Sequence, residues 1–509
     1  MANSRSKNSQ RNLVWAMANK FAILLVQFIT RTVFIYTFGV LYLGLNGLFA
    51  STLDFLALAE LGVGAAMVFS MYKPMAEKDT ATVCALLNLY RKVYRIIGTV
   101  MLIGGTILMF FLPYLIKGEI PDDINLYVLY ALNLVKTVVS YFLFAYKRSI
   151  LTADQRSDIS SRVGIVLGIL SNLCQILILL LFRNYYYYCC VLIAFTIISN
   201  LVINHVVNKK YPQYKCYGTI DKDLLNDIKK RIAGLFVYRI CYIFRDAIDA
   251  VFISAFIGLS VLGKYNNYMF IINMLTGLLV LARSSITASI GNSIATESEE
   301  KNYGDFNKIQ LIYMWISIWC TVCLYCLFQP FISLWVGDSY LLGEIELCSF
   351  CLFFLCHKLG DICSTYRQAT GLWWQDKYRP ITEAVVKTIL NLCIIRYFGV
   401  VGALGGSIFC LVFINSIWAS WVLYRYYFKH QRQWDYIKRN LYYLFLTVVI
   451  CAVTGYICYL LPCEGISNLI LRAIVCLIVP NILLWLVFRN LKEFSGSVAM
   501  VKRLIQAKA

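Results

Sequence analysis

The sequence predicts an all-α, polytopic membrane protein with about fourteen transmembrane helices, and three observations carry that expectation. Of 509 residues, 60% are hydrophobic and only 15% charged, and the mean hydropathy is +0.68. Soluble domains do not reach this composition. The apolar residues fall into runs of roughly spanning length, and most of the 47 lysines and arginines sit in short segments between runs. A net charge of +20 would suggest a nucleic-acid partner in a soluble chain; here it follows the asymmetry that orients spans in a bilayer.

The runs can be taken in order. The first, 13–38, is too long for the core of a cleavable leader and has no small-residue cleavage site, so it is expected to stay as a helix. The others are 46–71, 93–116, 124–146, 160–182, 185–207, 232–257, 265–290, 309–336, 342–366, 380–397, 400–424, 440–461 and 468–488. At 1.5 Å per residue each is about long enough to cross the hydrocarbon core. If the N-terminus is cytoplasmic, only Lys117, Arg183, Lys264 and Arg396 fall in outside loops. Both termini are therefore expected in the cytoplasm.

The longest inside loop, 208–230, is basic and contains the turn-rich piece YPQYKCYGT followed by DKDLLNDIKK. It divides the chain into 1–207 and 231–427, six runs each, with 428–509 holding two further helices and a tail. A shift of 219 residues places Lys20 on Arg239, Gly39 on Gly258, Leu43 on Leu262, Gly44 on Gly263 and Ala76 on Ala295. Internal repeats of this kind underlie many transporter folds.

The stretch Gly39 to Asp79 carries Asp54 and Glu60 within a spanning length of apolar sequence. A carboxylate at the centre of a lipid-facing helix costs roughly 2.5–3.5 kcal/mol on insertion scales, so this helix should face a protected interior. Its segments YLGLNGLF, LALAELGVGAA and YKPMAEKD, with LLNLYRKVYRIIG after them, resemble the amino-terminal signature of bacterial polysaccharide-repeat-unit flippases, the Wzx-like branch of the MOP (MATE and flippase) superfamily. The resemblance is closest over Leu41 to Gly98. It implies two six-helix bundles around a central cavity plus two C-terminal helices, in the bacterial cytoplasmic membrane. It also implies alternating access, moving an undecaprenyl-diphosphate-linked oligosaccharide from the inner to the outer leaflet, with a polysaccharide polymerase and other assembly proteins as partners.

A diphosphate-linked glycan needs basic groups for its linkage and hydrogen-bonding groups for its sugars. Lys20, Gln27 and Arg31 are spaced seven and four apart, on one face of the first helix. Arg239, Tyr242, Asp246 and Asp249 make a stripe on the seventh, with Arg245 beside it. Lys136 shares a face with Asn133 and Ser140, and Lys358 with Asp361. The candidate substrate-binding set is Lys20, Gln27, Arg31, Lys136, Arg239, Arg245 and Lys358; Glu60, Asp246 and Asp249 are candidates for a coupling cation. Asp54 and Glu60, six residues apart, would lie about 120° apart on one continuous helix. Structural pairing is the competing reading for each charge, as with Glu383 and Lys387 in i, i+4 order. Tyr185 to Tyr188 sit at the expected outer interface, where aromatic side chains anchor helices.

Nineteen cysteines include the overlapping spacings Cys320, Cys323, Cys326 and the pair Cys348, Cys351. They lie in apolar runs away from any histidine cluster and read as small packing residues, so no metal or other cofactor is expected. There is no phosphate-binding G-x-x-x-x-G-K-[ST] loop, and His205, His357 and His430 are scattered. The chain is thus not expected to be an enzyme. A multidrug cation antiporter of the same superfamily would want an acidic cavity, a lipid II flippase is a closer rival, and a membrane-embedded glycolipid transferase should show clustered His, Asp or Glu.

Overall fold

A computed structural model describes the backbone of residues 2–56, 60, 63–372, 374–461 and 465–506; within these, the side chains of 2–14, 230–231, 233–240, 242–246 and 501–506 and a few single residues lie outside the description. The chain is 87% helical, with no strand among the described residues. Contacts group Met1–Gly263 and Lys264–Ala509 as two compact units.

The first unit runs through α1 (Ala2–Phe38), α2 (Val40–Leu56), α3 (Val63–Ala76), α4 (Thr80–Phe111), α5 (Leu126–Phe142), the short α6 (Arg148–Ala153), α7 (Ser157–Phe182), α8 (Tyr185–Lys210) and α9 (Lys222–Phe256). Helix α10 (Leu259–Thr296) begins at its end. The second unit continues with α11 (Glu299–Val336), α12 (Glu344–Leu359), α13 (Asp361–Ala369), α14 (Arg379–Phe409), α15 (Ala419–Tyr426), α16 (Gln433–Tyr459), α17 (Gly465–Phe488) and α18 (Lys492–Gln506). Among the described residues nine helices are long and apolar enough to cross a membrane, and α5 with the segment Ala145–Ala153 makes a tenth if the pair, bent by 51°, is one span. The protein is an all-α, multi-pass membrane protein.

The fourteen apolar runs coincide with described helix over most of their lengths; within the run 46–71 helix is described as α2 up to Leu56 and as α3 from Val63, with Glu60 between them in a 3₁₀ turn. The run 400–424 follows a backbone reversal at Gly399 (φ 57°) and contains nine π-helical residues, Cys410–Trp418. The loop expected over 208–230 shrinks to 211–221, since DKDLLNDIKK joins the seventh run in the 35-residue α9. Short polar side chains start the helices at the loops. Asp79 accepts from Thr82 N at 3.0 Å, Asn125 from Tyr127 N at 3.1 Å, and Asn184 from Tyr186 N at 2.9 Å, each supplying an acceptor to an otherwise unpaired first-turn amide.

The 219-residue shift has a structural counterpart in the first unit. Gly39 joins α1 to α2 with φ 83°, and Gly258 joins α9 to α10 with φ 138°; both angles lie where a Cβ is disfavoured. Five residues further on, α2 and α10 meet through glycine. A Cβ on Gly44 would stand 2.2 Å from the carbonyl oxygen of Leu259, and one on Gly263 would stand 2.4 Å from that of Val40. Val40 and Leu259 are themselves 219 apart, so the contact is reciprocal.

Candidate functional site

In the first unit the polar stripe of α1 is open. Lys20 and Gln27 are exposed and Arg31 is half-buried, near Tyr188 of α8. Thr30, on the other side, is buried with its hydroxyl 2.8 Å from Asn172 Oδ1 of α7. Close α1–α7 packing is allowed by Gly164 and Gly168, which face Asn19 and Ile23. Lys136 of α5 is half-buried, with Cys189 of α8 and Asp54 of α2 as its electrostatic neighbours. Two predicted charges, on different helices, are thus brought together.

Glu60 has the most defined surroundings. Its Oε1 accepts from the Tyr94 hydroxyl at 2.6 Å and its Oε2 from Tyr141 at 2.6 Å, while Tyr90 donates to Tyr94 at 3.0 Å. Bonds this short from phenol to carboxylate are charge-assisted. Tyr90 and Tyr94 are a turn apart on α4, and Gly64 of α3 leaves room for the Tyr90 hydroxyl, 3.1 Å from where a Cβ would be. Among the described residues no basic group is within ion-pairing distance of Glu60.

Nearby, α5, α6, α7 and α8 line an open cavity of about 310 Å³ whose wall mixes the polar Ser140, Arg148, Ser171, Thr196, Ser199 and Asn200 with the apolar Leu167, Leu192 and Phe195. Arg148 Nη2 donates to Ser199 Oγ at 3.1 Å, and Asn200 Nδ2 donates to Ser140 Oγ at 3.1 Å. One guanidinium surrounded by hydroxyls and an amide can take a phosphoryl oxygen and its neighbouring sugar hydroxyls.

The second unit holds its charges in buried knots. Asp361 opens α13; it accepts from Arg283 Nη1 at 3.2 Å and from the Tyr313 hydroxyl at 2.5 Å, and stands 3.6 Å from Lys358 Nζ. Lys358 is 0% exposed, with the Phe354 ring centroid 5.3 Å from its ammonium. A second knot ties α13 to α14: Asp376 pairs with Arg367 and accepts from Arg379 Nε at 2.9 Å. Arg379 also reaches Glu383 at 3.5 Å. All four of those side chains are buried. Between α11, α12 and α16 lies an apolar groove of about 240 Å³, lined by Tyr325, Cys348, Leu352, Leu355, Val448 and Ala452 among others.

Outside the spans, Asp79 is exposed and its carboxyl is held below the usual range by the Thr82 hydroxyl and amide.

Of the residues expected from sequence, Lys20, Gln27, Arg31, Lys136 and Glu60 fall in the first unit with open or half-open side chains. Asp249 of α9 is buried at 5% exposure. Arg239, Arg245 and Asp246 lie on α9, and their side chains are outside the described residues. So are Gly62 and the side chain of Ala65, small residues of the kind that let helices approach closely in a bilayer. Tyr185 is buried against Phe34, Phe38 and Tyr42, and Tyr187 is exposed. Sequence reading passed over Tyr94, Tyr141, Arg148 and Asp376. The i, i+4 tyrosines in LYRKVY were a signal for the first; Arg148 and Asp376 sit at run ends and read as loop charges.

No family model matches this chain, and no curated protein matches it. Solved structures do. The lipid II flippase MurJ in an inward closed conformation superposes with a TM-score of 0.66 at 17% identity, covering 94% of this chain and 99% of its own. A multidrug resistance MATE family transporter of the MOP superfamily, inward-facing, gives 0.61 at 13% identity over 81% of this chain and 98% of its own. The Vibrio cholerae MATE transporter VcmN, in a mutant form, gives 0.56 at 12% over 85% of this chain and 100% of its own. The chain has the fold of the MOP superfamily transporters.

Proposed function

We propose that this protein is a flippase that carries undecaprenyl-diphosphate-linked oligosaccharide repeat units from the inner to the outer leaflet of the bacterial cytoplasmic membrane for surface polysaccharide synthesis, by alternating access. The observation that carries the reading is the open basic set of the first unit. Lys20, Arg31, Lys136 and Arg148 are exposed or half-exposed, on a fold shared with a lipid II flippase over 94% of the chain. An anionic linkage finds cations there, and the hydroxyl-lined cavity beside Arg148 suits the first sugar. The apolar groove along α11, α12 and α16 suits a polyprenyl tail. The distribution of lysine and arginine supports cytoplasmic termini, and in this reading a polymerase on the outer face is the recipient.

A multidrug cation antiporter would want unneutralised acid. Here Asp361 and Asp376 are engaged by arginine or lysine, and Glu60 by two tyrosines. Glu60 is instead a candidate for the coupling cation. With the cytoplasm negative, each net negative charge moved outward gains about 2.3 kcal/mol per 100 mV, and a cation bound at Glu60 would drive the return. The second reading, lipid II itself, is favoured by the likeness to MurJ.

The test is transbilayer movement of a fluorescent undecaprenyl-diphosphate oligosaccharide in proteoliposomes. Movement by the parent and its loss in a folded Arg31→Ala, Lys136→Ala double variant is expected. A parent that moves nothing, or chemically alters the glycolipid, would sink the reading. A gene whose loss stops growth rather than removing a surface polymer would point to lipid II.

A further inference from the structure

Three cysteines distant in sequence converge in the second unit. Cys326 of α11, Cys458 of α16 and Cys476 of α17 are buried at 4%, 1% and 0% exposure, and their sulfurs all lie within 4.8 Å of one another. Metal–sulfur bonds of about 2.3 Å, the zinc–thiolate value, set three sulfurs around a trigonal centre about 4.0 Å apart, so small side-chain adjustments close the triangle. The sequence spacing Cys320, Cys323, Cys326 supplies only Cys326 to this trio, with Cys323 a further neighbour of Cys476, because the ligands that meet come from three separate helices.

A second observation accompanies the thiols. Arg472, one turn before Cys476 on α17, turns its guanidinium toward the same place: Nη1 is 3.4 Å from the Cys326 carbonyl oxygen, and Arg472 is an electrostatic neighbour of Cys458 and Cys476. Its Nε is buried without a hydrogen-bond partner. A guanidinium set against uncharged thiols in an apolar bundle is poorly compensated. It becomes well placed once the thiols carry negative charge.

We propose that Cys326, Cys458 and Cys476 form a thiolate site for a soft monovalent cation, copper(I). Soft sulfur ligands select this ion, whereas structural zinc takes four ligands. Ligation displaces thiol protons. Loss of two protons on binding one Cu⁺ leaves a complex of charge −1, which Arg472 neutralises. The ion would pin α16 and α17 to α11 without any role in moving substrate.

The experiment uses the detergent-purified, reduced full chain under anaerobic conditions, titrated with copper(I) held by the chromophoric chelator bicinchoninate. The parent should withdraw one copper per chain and release two protons, and its melting temperature should rise with copper. Cys326→Ser and Cys476→Ser should lose both effects, while Cys174→Ser and Cys393→Ser, at other cysteines, should keep them. X-ray absorption of the loaded parent should show a sulfur-only shell of three. Failure of the parent to compete with the chelator, a shell of nitrogen or oxygen, a disulfide among the three cysteines by mass spectrometry, or stoichiometric zinc in their place would each overturn the proposal.

Discussion

The reciprocal glycine contact makes a prediction whose size can be worked from distances. Placing a Cβ on Gly44 puts a carbon 2.2 Å from the Leu259 carbonyl oxygen and 2.9 Å from its carbon. Carbon–oxygen contacts settle near 3.3–3.6 Å, so Gly44→Ala forces α2 and α10 apart by about 1 Å. The listener is backbone on both sides, which cannot rotate away as a side chain can. Overpacking of this kind costs about 1–3 kcal/mol, equivalent to about a 5- to 150-fold shift in the population of the closed crossing. Gly263→Ala, 2.4 Å from the Val40 oxygen, should do the same. Together they should cost less than their sum, because one separation relieves both clashes. Hydrogen exchange at residues 40–44 and 259–263 should accelerate, and the melting temperature should fall. Gly405→Ala is the control: nothing lies within 4 Å of its Cβ position in α14, so the same chemical change should stabilise by about 0.5–1 kcal/mol. If Gly44→Ala and Gly405→Ala shift stability and exchange alike, the reasoning from the reciprocal contact is wrong.

Other outcomes follow from the buried charges. Asp361→Asn leaves Lys358 buried beside Arg283 without its carboxylate, and should lower unfolding stability by about 3–5 kcal/mol; adding Lys358→Met should restore part of it, as read by thermal denaturation. Glu60→Gln keeps the shape of the tyrosine cage but removes the charge, so the protein should stay folded while any dependence of lipid movement on a proton or sodium gradient disappears; retained dependence would remove Glu60 as the coupling group. Arg148→Ala should weaken binding of the diphosphate oligosaccharide while leaving the melting temperature within about 1 kcal/mol equivalent, since Arg148 is an exposed cavity side chain. Asp79 gives a pH signature. Its folded pKa lies below the ordinary aspartate value of 3.8, so its capping contribution is present above that value and is lost as pH falls through the folded pKa; the stability gap between the parent and Asp79→Ala should therefore close in acid.

The sequence by itself determined the class of protein and the apolar runs that carry its long helices, because burial in lipid demands long apolar stretches and backbone self-satisfaction, both visible one residue at a time. It also carried the 219-residue correspondence of Gly39 with Gly258 and of Gly44 with Gly263, while the structure decided that Gly39 and Gly258 occupy turns that disfavour a Cβ. What it could not determine was which charges meet. Hydropathy marked Lys358 as a basic residue within a span, but only packing of α10, α11, α12 and α13 showed it closed off with Asp361, Arg283 and Tyr313. Glu60 was legible as an intramembrane acid, yet its tyrosine partners come from α4 and α5, 34 and 81 residues away. Cys326, Cys458 and Cys476 were ordinary apolar residues until three helices brought their sulfurs together. Periodicity is a property of one helix, whereas partners are chosen by the way helices pack, and that choice belongs to the tertiary structure.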